Sequence, residues 1–253
     1  PHRGVTLGLP VCEDIWGEGP STDLKAQGAE MLLVPNGSPF RDTSDDERIA
    51  VVRARVADTH LPLLYVNQVG GQDELVFDGA SFAVQADGTC AMRLPLCEET
   101  VGLTRWEKAD GLWRIAEAPL AEWPDRIETL YRVMTLGLRD YVDKTGFPGV
   151  LLGLSGGVDS AIVATIAVDA FGPERVRAVM MPSPYTSRES LEDAEACARA
   201  LGIRYESIPI APGMEAFSVM LEDAFKDTET DVTEENLQSR LRGVTLMALS
   251  NKT

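Results

Sequence analysis

Ser155-Gly156-Gly157-Val158-Asp159-Ser160 stands between an apolar run, Val150 to Leu154, and a helix-like stretch, Ala161 to Phe171. That order reads as strand, loop and helix N-terminus. Two adjacent glycines let a loop turn its backbone N–H groups toward a ligand, because no Cβ obstructs the approach, and the helix adds free N–H groups and the positive end of its dipole. Such a loop suits phosphate or pyrophosphate. It lacks the lysine and longer glycine spacing of the Walker loop, and the three-glycine pattern of the dinucleotide fingerprint. Ser155 and Ser160 add neutral hydroxyl donors. A carboxylate at Asp159 would repel a polyphosphate unless it held a cation, so magnesium is implied. The alternative is a plain strand-to-helix turn capped by Ser155 or Asp159.

Outward from this loop the pattern repeats. Strand 149–154, helix 158–171, strand 175–181, helix 187–200 and strand 203–208 alternate, with helices beyond. This alternation predicts a parallel sheet with right-handed crossovers and helices on both faces, with ligand at the carboxyl ends of the strands. By that geometry Met181 and its neighbours, at the end of the second of these strands, belong near the nucleotide base. Upstream, Asp125 to Asp143 reads as a helix whose apolar positions Ile127, Leu130, Met134, Leu138 and Tyr141 step by three and four.

The run Gly153, Leu154, Ser155, Gly156, Gly157, Val158, Asp159, Ser160 resembles the SGGxDS signature of the ATP pyrophosphatase group, which cleaves ATP between its α and β phosphates while adenylating an acyl oxygen. The resemblance implies that these residues and Met181 bind ATP, with Asp159 on magnesium. Synthetases for NAD, GMP, asparagine and argininosuccinate all share the signature. The segment from Thr233-Glu234-Glu235-Asn236-Leu237-Gln238-Ser239-Arg240-Leu241-Arg242 to Leu249-Ser250-Asn251-Lys252 is similar to the NAD synthetase segment that follows the ATP loop. Read as a helix, it puts Leu237, Leu241, Val244 and Ala248 on one apolar face and Asn236, Arg240 and Gly243 on a neighbouring one. The resemblance implies that Asn236 and Arg240 meet deamido-NAD.

The other end carries a second site. Val5 to Val11 is a buried-strand type of run leading to Cys12-Glu13-Asp14-Ile15-Trp16, and Met31 to Pro35 is another, ending at Asn36-Gly37-Ser38-Pro39-Phe40. With the stretch Tyr65 to Gly79, these resemble the carbon–nitrogen hydrolase (nitrilase) domain of glutamine-dependent NAD synthetases. A thiolate at a strand end can attack an amide carbonyl, form a thioester and release ammonia. Cys12 is the expected nucleophile. A lone cysteine there is otherwise a small buried hydrophobe, which is how Cys90, Cys97 and Cys197 are read. Ser38 and a basic residue are implied to hold glutamine. Arg41 is the nearest candidate and Arg48 its competitor; either could instead form an exposed pair with Asp42, Asp45 or Glu47.

The resemblance also implies partners absent from these residues. The nitrilase-type glutamate base and lysine precede the nucleophile by many tens of residues, whereas eleven precede Cys12. The expectation is a piece of a longer synthetase, with a few residues omitted near Phe40 to Arg41 and the family pattern continuing past Thr253.

The 253 residues, 44% hydrophobic, are enough for two partial domains with cores of their own. We expect residues 1–120 to be a nitrilase-like domain of αββα type, α/β tapering into a β-rich edge, and 121–253 a Rossmann-like parallel-sheet domain, joined near Pro119 to Pro124. In the first, helices near Ser21 to Gly28 and Asp46 to Thr59 alternate with strands, including Leu63 to Asn67, and turns are expected at Asp87-Gly88 and Asp110-Gly111. No stretch approaches a membrane span and the start lacks a signal pattern, so a cytoplasmic protein is expected. A net charge of −17 argues against a nucleic-acid partner.

The expected chemistry is adenylation of deamido-NAD by ATP and magnesium, then attack by ammonia taken from glutamine, in a homo-oligomer. Another glutamine-fed ATP pyrophosphatase, or a catalytically dead nucleotide-binding fragment, is the alternative.

Overall fold

The computed structural model describes residues 2–42, 44–226, 228–229 and 231–252, with the backbone alone at 44–46. The chain forms two compact units, Pro1–Tyr141 and Val142–Thr253. By packing the division falls after Tyr141, inside a helix.

The first unit is built on a five-stranded sheet. Strands β1 (Leu7–Gly8), β2 (Met31–Asn36) and β3 (Leu63–Asn67) run parallel, and β6 (Phe82–Val84) and β7 (Cys90–Arg93) continue the sheet antiparallel. Helices α1 (Gly19–Ala26) and α2 (Ser44–Thr59) make the crossovers. Alternate residues of the central strands face the core: Leu32 and Val34 of β2, Leu63 and Tyr65 of β3, and Phe82 and Val84 of β6. Val52 and Val56 of α2 and Ile15 close it. Burying each such side chain contributes about 1.5 to 3 kcal/mol. A hairpin, β4 (Val69–Gln72) and β5 (Leu75–Asp78), and a second, β8 (Arg105–Ala109) and β9 (Leu112–Glu117), complete the unit. Asp110 and Gly111 both have positive φ, 53° and 81°, as the expected tight turn demands.

Two expectations are corrected here. The run Val5 to Val11 yields only a two-residue strand, because only Leu7 and Gly8 pair with β2, opposite Met31 and Leu32; Leu9 and Val11 are exposed instead. In α3 (Arg126–Thr145) the ladder Ile127, Met134 and Tyr141 is largely exposed, and the buried positions are Thr129, Val133, Leu136 and Val142. The helix carries two adjoining apolar stripes, and periodicity alone does not say which turns inward. Its start is set by Asp125, whose Oδ1 accepts from the N–H groups of Ile127 and Glu128 at 2.9 and 3.0 Å.

The second unit has the expected alternation. Strands β10 (Val150–Gly153), β11 (Val176–Met180) and β12 (Arg204–Ser207) form a parallel sheet in that order. Helices α4 (Val158–Phe171) and α5 (Arg188–Leu201) connect them, and α6 (Ala211–Leu221) and α7 (Val232–Ser250) follow. Ser187 caps α5 by accepting from Ser190 N, and Gly202 ends it in the left-handed conformation. No described helix is long and apolar enough to cross a membrane.

Candidate functional site

Cys12 opens a single 3-10 turn, Cys12–Ile15, at the end of the segment that follows β1. Its φ of 47° is left-handed, a conformation that costs a non-glycine residue about 1 to 3 kcal/mol. The turn is held on both flanks. Asp14 Oδ2 accepts from Val11 N at 2.8 Å, and Asp14 N donates to Val11 O at 3.0 Å. Ile15 is wholly buried in the core, and Arg55 Nη1 reaches Ile15 O at 3.4 Å. Strand end, strained residue and anchored turn together present the Cys12 side chain to a cavity.

That cavity, ≈ 260 Å³, is lined by Cys12, Glu13, Trp16, Ser38, Arg41 and Tyr65 among others. It is smaller than the roughly 300 to 1,000 Å³ of drug-sized ligand sites, so it suits a molecule of amino-acid size rather than a dinucleotide. The paired strand ends build its floor. Asn36 of β2 lies opposite Asn67 of β3, and the Asn67 amide grips the Ser38 backbone from both sides. Its Oδ1 accepts from Ser38 N at 2.9 Å and its Nδ2 donates to Ser38 O at 3.0 Å. Asn67 lies in the Tyr65 to Gly79 stretch without any expected role. Its place at a strand end beside a glycine turn was the available signal.

The two arginines part company. Arg41 is exposed and lines the same cavity as Cys12 and Ser38. Arg48 lines it too, but is only 3% exposed and pairs with Asp78, itself fully buried, at 2.8 Å. The reading of Arg48 as an exposed surface pair is therefore corrected: α2 turns it inward. Asp42 binds Arg126 at 2.5 Å, which holds the Asp42 carboxyl below its usual range. Cys90 and Cys97 are half-buried, with thiols pushed up chiefly by burial, Cys97 to about 12.

In the second unit, the loop after β10 closes on itself through hydroxyls. Ser155 N donates to Ser160 Oγ at 3.1 Å, Gly157 N donates to Ser155 Oγ at 3.3 Å, and Ser160 Oγ donates to Gly157 O at 2.9 Å. Gly156 has a φ of 85°, and a Cβ there would lie 2.2 Å from Ser190 O, so this position requires glycine. No side chain caps α4, whose N-cap is Gly157, and its first-turn N–H groups keep their geometric lack of helical partners. Val158 and Asp159 are exposed on that first turn. The arrangement offers an anion several N–H and hydroxyl donors, with one carboxylate beside them.

Leu154 is buried and its N–H donates to Val179 O at 3.0 Å. A Cβ on Gly153 would lie 3.2 Å from Met181 Cε, so Met181, 5% exposed, packs behind the loop at the end of β11. Asn236 and Arg240 are exposed on α7. The expected packing face of α7 is corrected. Leu241, Leu246 and Leu249 pack against Val179, Met181 and Ile210, whereas Val244 is 68% exposed and Ala248 is exposed too. Arg242, for which no role was expected, donates from Nε to Met181 O at 3.1 Å and ties α7 to the strand end. Among the described residues no group of three or more His, Cys, Asp or Glu side chains forms a metal cluster. A lone Asp159 is compatible with magnesium, which commonly takes one or two carboxylates and fills its shell with phosphate oxygens and water.

Comparison with known proteins agrees with this two-part construction. Residues 2–108 match the carbon-nitrogen hydrolase family and residues 130–253 the NAD synthase family. A glutamine-dependent NAD(+) synthetase of Rhodobacter capsulatus is 52% identical over 248 residues, 98% of this chain and 45% of that protein. One from Thermotoga maritima is 38% identical over 283 residues, 98% of this chain and 49% of its own length. The glutamine-dependent NAD+ synthetase of Acinetobacter baumannii, solved with adenosine diphosphate, superposes with a TM-score of 0.94 at 40% identity, over 100% of this chain and 48% of that one. The Cytophaga hutchinsonii synthetase, at 18% identity and a TM-score of 0.77 over 97% of this chain and 46% of its own, shares the fold. The chain spans about half the length of the curated relatives it matches. With a carbon–nitrogen hydrolase segment followed by an NAD synthase segment, it belongs to the glutamine-dependent NAD(+) synthetase family.

Proposed function

We propose that this chain forms part of an enzyme that makes NAD from deamido-NAD, ATP and glutamine. The observation that carries the reading is the joint presence, in one chain, of a strained cysteine over a small polar cavity and a glycine-hydroxyl loop at a parallel strand end. In this reading Cys12 is the nucleophile toward the glutamine side-chain amide, and Ser38 and Arg41 hold glutamine. A left-handed Cys12 spends folding energy to aim its sulfur, a cost expected at functional sites. Gly153 to Ser160 cradle ATP, Met181 backs the nucleotide, and Asn236 and Arg240 meet deamido-NAD.

Magnesium, when bound, neutralises charge between the phosphates. Asp159 would hold it, while the loop N–H groups and the Ser155 and Ser160 hydroxyls orient the polyphosphate. Adenylation is needed because a carboxylate is a poor acyl donor, whereas an acyl-AMP carries a good leaving group. A homo-oligomer working in the cytoplasm is part of the same proposal. The acidic balance, −17, fits phosphates held locally rather than by a general basic surface.

The test is product identity in the full-length protein. With glutamine labelled with 15N in its side-chain amide, the label is expected in the carboxamide of NAD, with AMP and diphosphate formed in equal amounts. ADP and inorganic phosphate in their place, or unlabelled NAD, would refute the reading.

A further inference from the structure

Arg48 and Asp78 form an ion pair 2.8 Å long with 3% and 0% exposure, beside the cavity but not part of the chemistry proposed for it. Removing two charges from water is a poor way to add stability, so the contacts of the pair matter more than its existence. Asp78 Oδ2 accepts from Arg48 Nη1, and Asp78 Oδ1 has no hydrogen-bond partner among the described residues. The guanidinium also reaches one turn. Nε donates to Ser38 Oγ at 3.2 Å, and Nη2 donates to Ser38 O at 2.8 Å and Pro39 O at 3.1 Å.

A guanidinium only donates, so Ser38 Oγ must act as acceptor toward Arg48 and keeps its proton for another group. Ser38 lines the Cys12 cavity, so that proton is available to whatever occupies it. Asn67 meanwhile fixes the Ser38 backbone, so the serine cannot swing away.

We propose that Arg48, anchored by Asp78, is a positioning residue that makes the Ser38 hydroxyl a hydrogen-bond donor to the substrate. The cavity therefore selects an acceptor at this point, a carboxylate or amide carbonyl oxygen, and disfavours an ammonium group. This inference rests on the reading of the cavity as a glutamine site.

Steady-state glutamine hydrolysis by the full-length protein tests it. Arg48→Lys keeps the charge opposite Asp78 but cannot reach Ser38 Oγ, Ser38 O and Pro39 O together, so the KM for glutamine should rise about tenfold or more while kcat changes less than about threefold. Ser38→Ala should show the same split. The double variant should be no more than about twofold worse than the worse single one, since Arg48 acts through Ser38. Ser38→Ala leaves the Arg48–Asp78 pair in place, which keeps the test valid if Arg48→Lys folds poorly. An unchanged KM in Ser38→Ala, or effects of Arg48→Lys and Ser38→Ala that multiply fully, would overturn the inference alone. A wild-type protein that hydrolyses no glutamine would overturn the underlying reading and the inference with it.

Discussion

Cys12 and Cys97 both have left-handed backbones, with φ of 47° and 60°, yet their surroundings give them opposite prospects. Cys97 is tied by its N–H to Asp78 O at 2.8 Å, and burial, reinforced by the Asp78 charge, pushes its thiol to about 12. Thiolate is the reactive form. At pH 8, native Cys97 should therefore react with iodoacetamide about a thousandfold more slowly than an unfolded thiol of pKa near 8.5. Mass spectrometry of the native protein, labelled and then digested, checks this. Rapid native labelling of Cys97 would contradict the assigned environment. The sign also bears on stability: a raised acid pKa means the unfolded chain releases its proton first, so this group's contribution is intact below about pH 8.5 and declines as pH rises toward 12. At this scale the sequence was legible in placement: Cys12 and Ser38, far apart in the chain, line one cavity, and Gly156 stands where no Cβ fits. It was silent on Asn67 and Asp78, and offered Arg48 only as a glutamine contact or an exposed pair, because their observed partners lie 29 to 30 residues away.

Elements were legible in kind more than in facing. The parallel βα order and the start of α3 at Asp125 follow from turn and cap chemistry, which is local. The inward stripes of α3 and α7 do not, since each helix offers neighbouring apolar rows and tertiary packing chooses between them. The loop between β10 and α4 joins both kinds of information. Gly156 and Gly157 look equivalent in sequence, but only Gly156 has a positive φ and a backbone oxygen, Ser190 O, where its Cβ would go. Gly157 has ordinary φ, −86°, and a Cβ there would meet only Ser155 Oγ, at 3.4 Å. Gly156→Ala should thus destabilise by about 2 to 5 kcal/mol, combining backbone strain with overpacking against α5. Gly157→Ala should cost under about 1 kcal/mol. Urea denaturation of the two variants measures the difference, and equal midpoints would show that the loop does not depend on the close approach to Ser190.

For the whole molecule, each of the two compact units carries one proposed half of the chemistry: Cys12 lies in Pro1–Tyr141 and Asp159 in Val142–Thr253. If the reaction is divided in this way, the two residues should fail in opposite senses. Cys12→Ala removes the sulfur that would form the thioester, so glutamine hydrolysis and glutamine-supported NAD formation should fall by about a thousandfold or more, while synthesis from added ammonia persists. Asp159→Asn removes the carboxylate that would hold magnesium, so NAD formation from either nitrogen source should fall by about a hundredfold or more. Its glutamine hydrolysis should remain measurable, because no group of the Cys12 cavity has been altered. Parallel assays of glutamate and of NAD, the latter with each nitrogen source, in the full-length protein give these values. Loss of ammonia-supported synthesis in Cys12→Ala would point to a folding role for the cysteine. Undiminished NAD formation in Asp159→Asn would remove that carboxylate from the magnesium site, and with it the argument that the loop holds a polyphosphate through a shared cation.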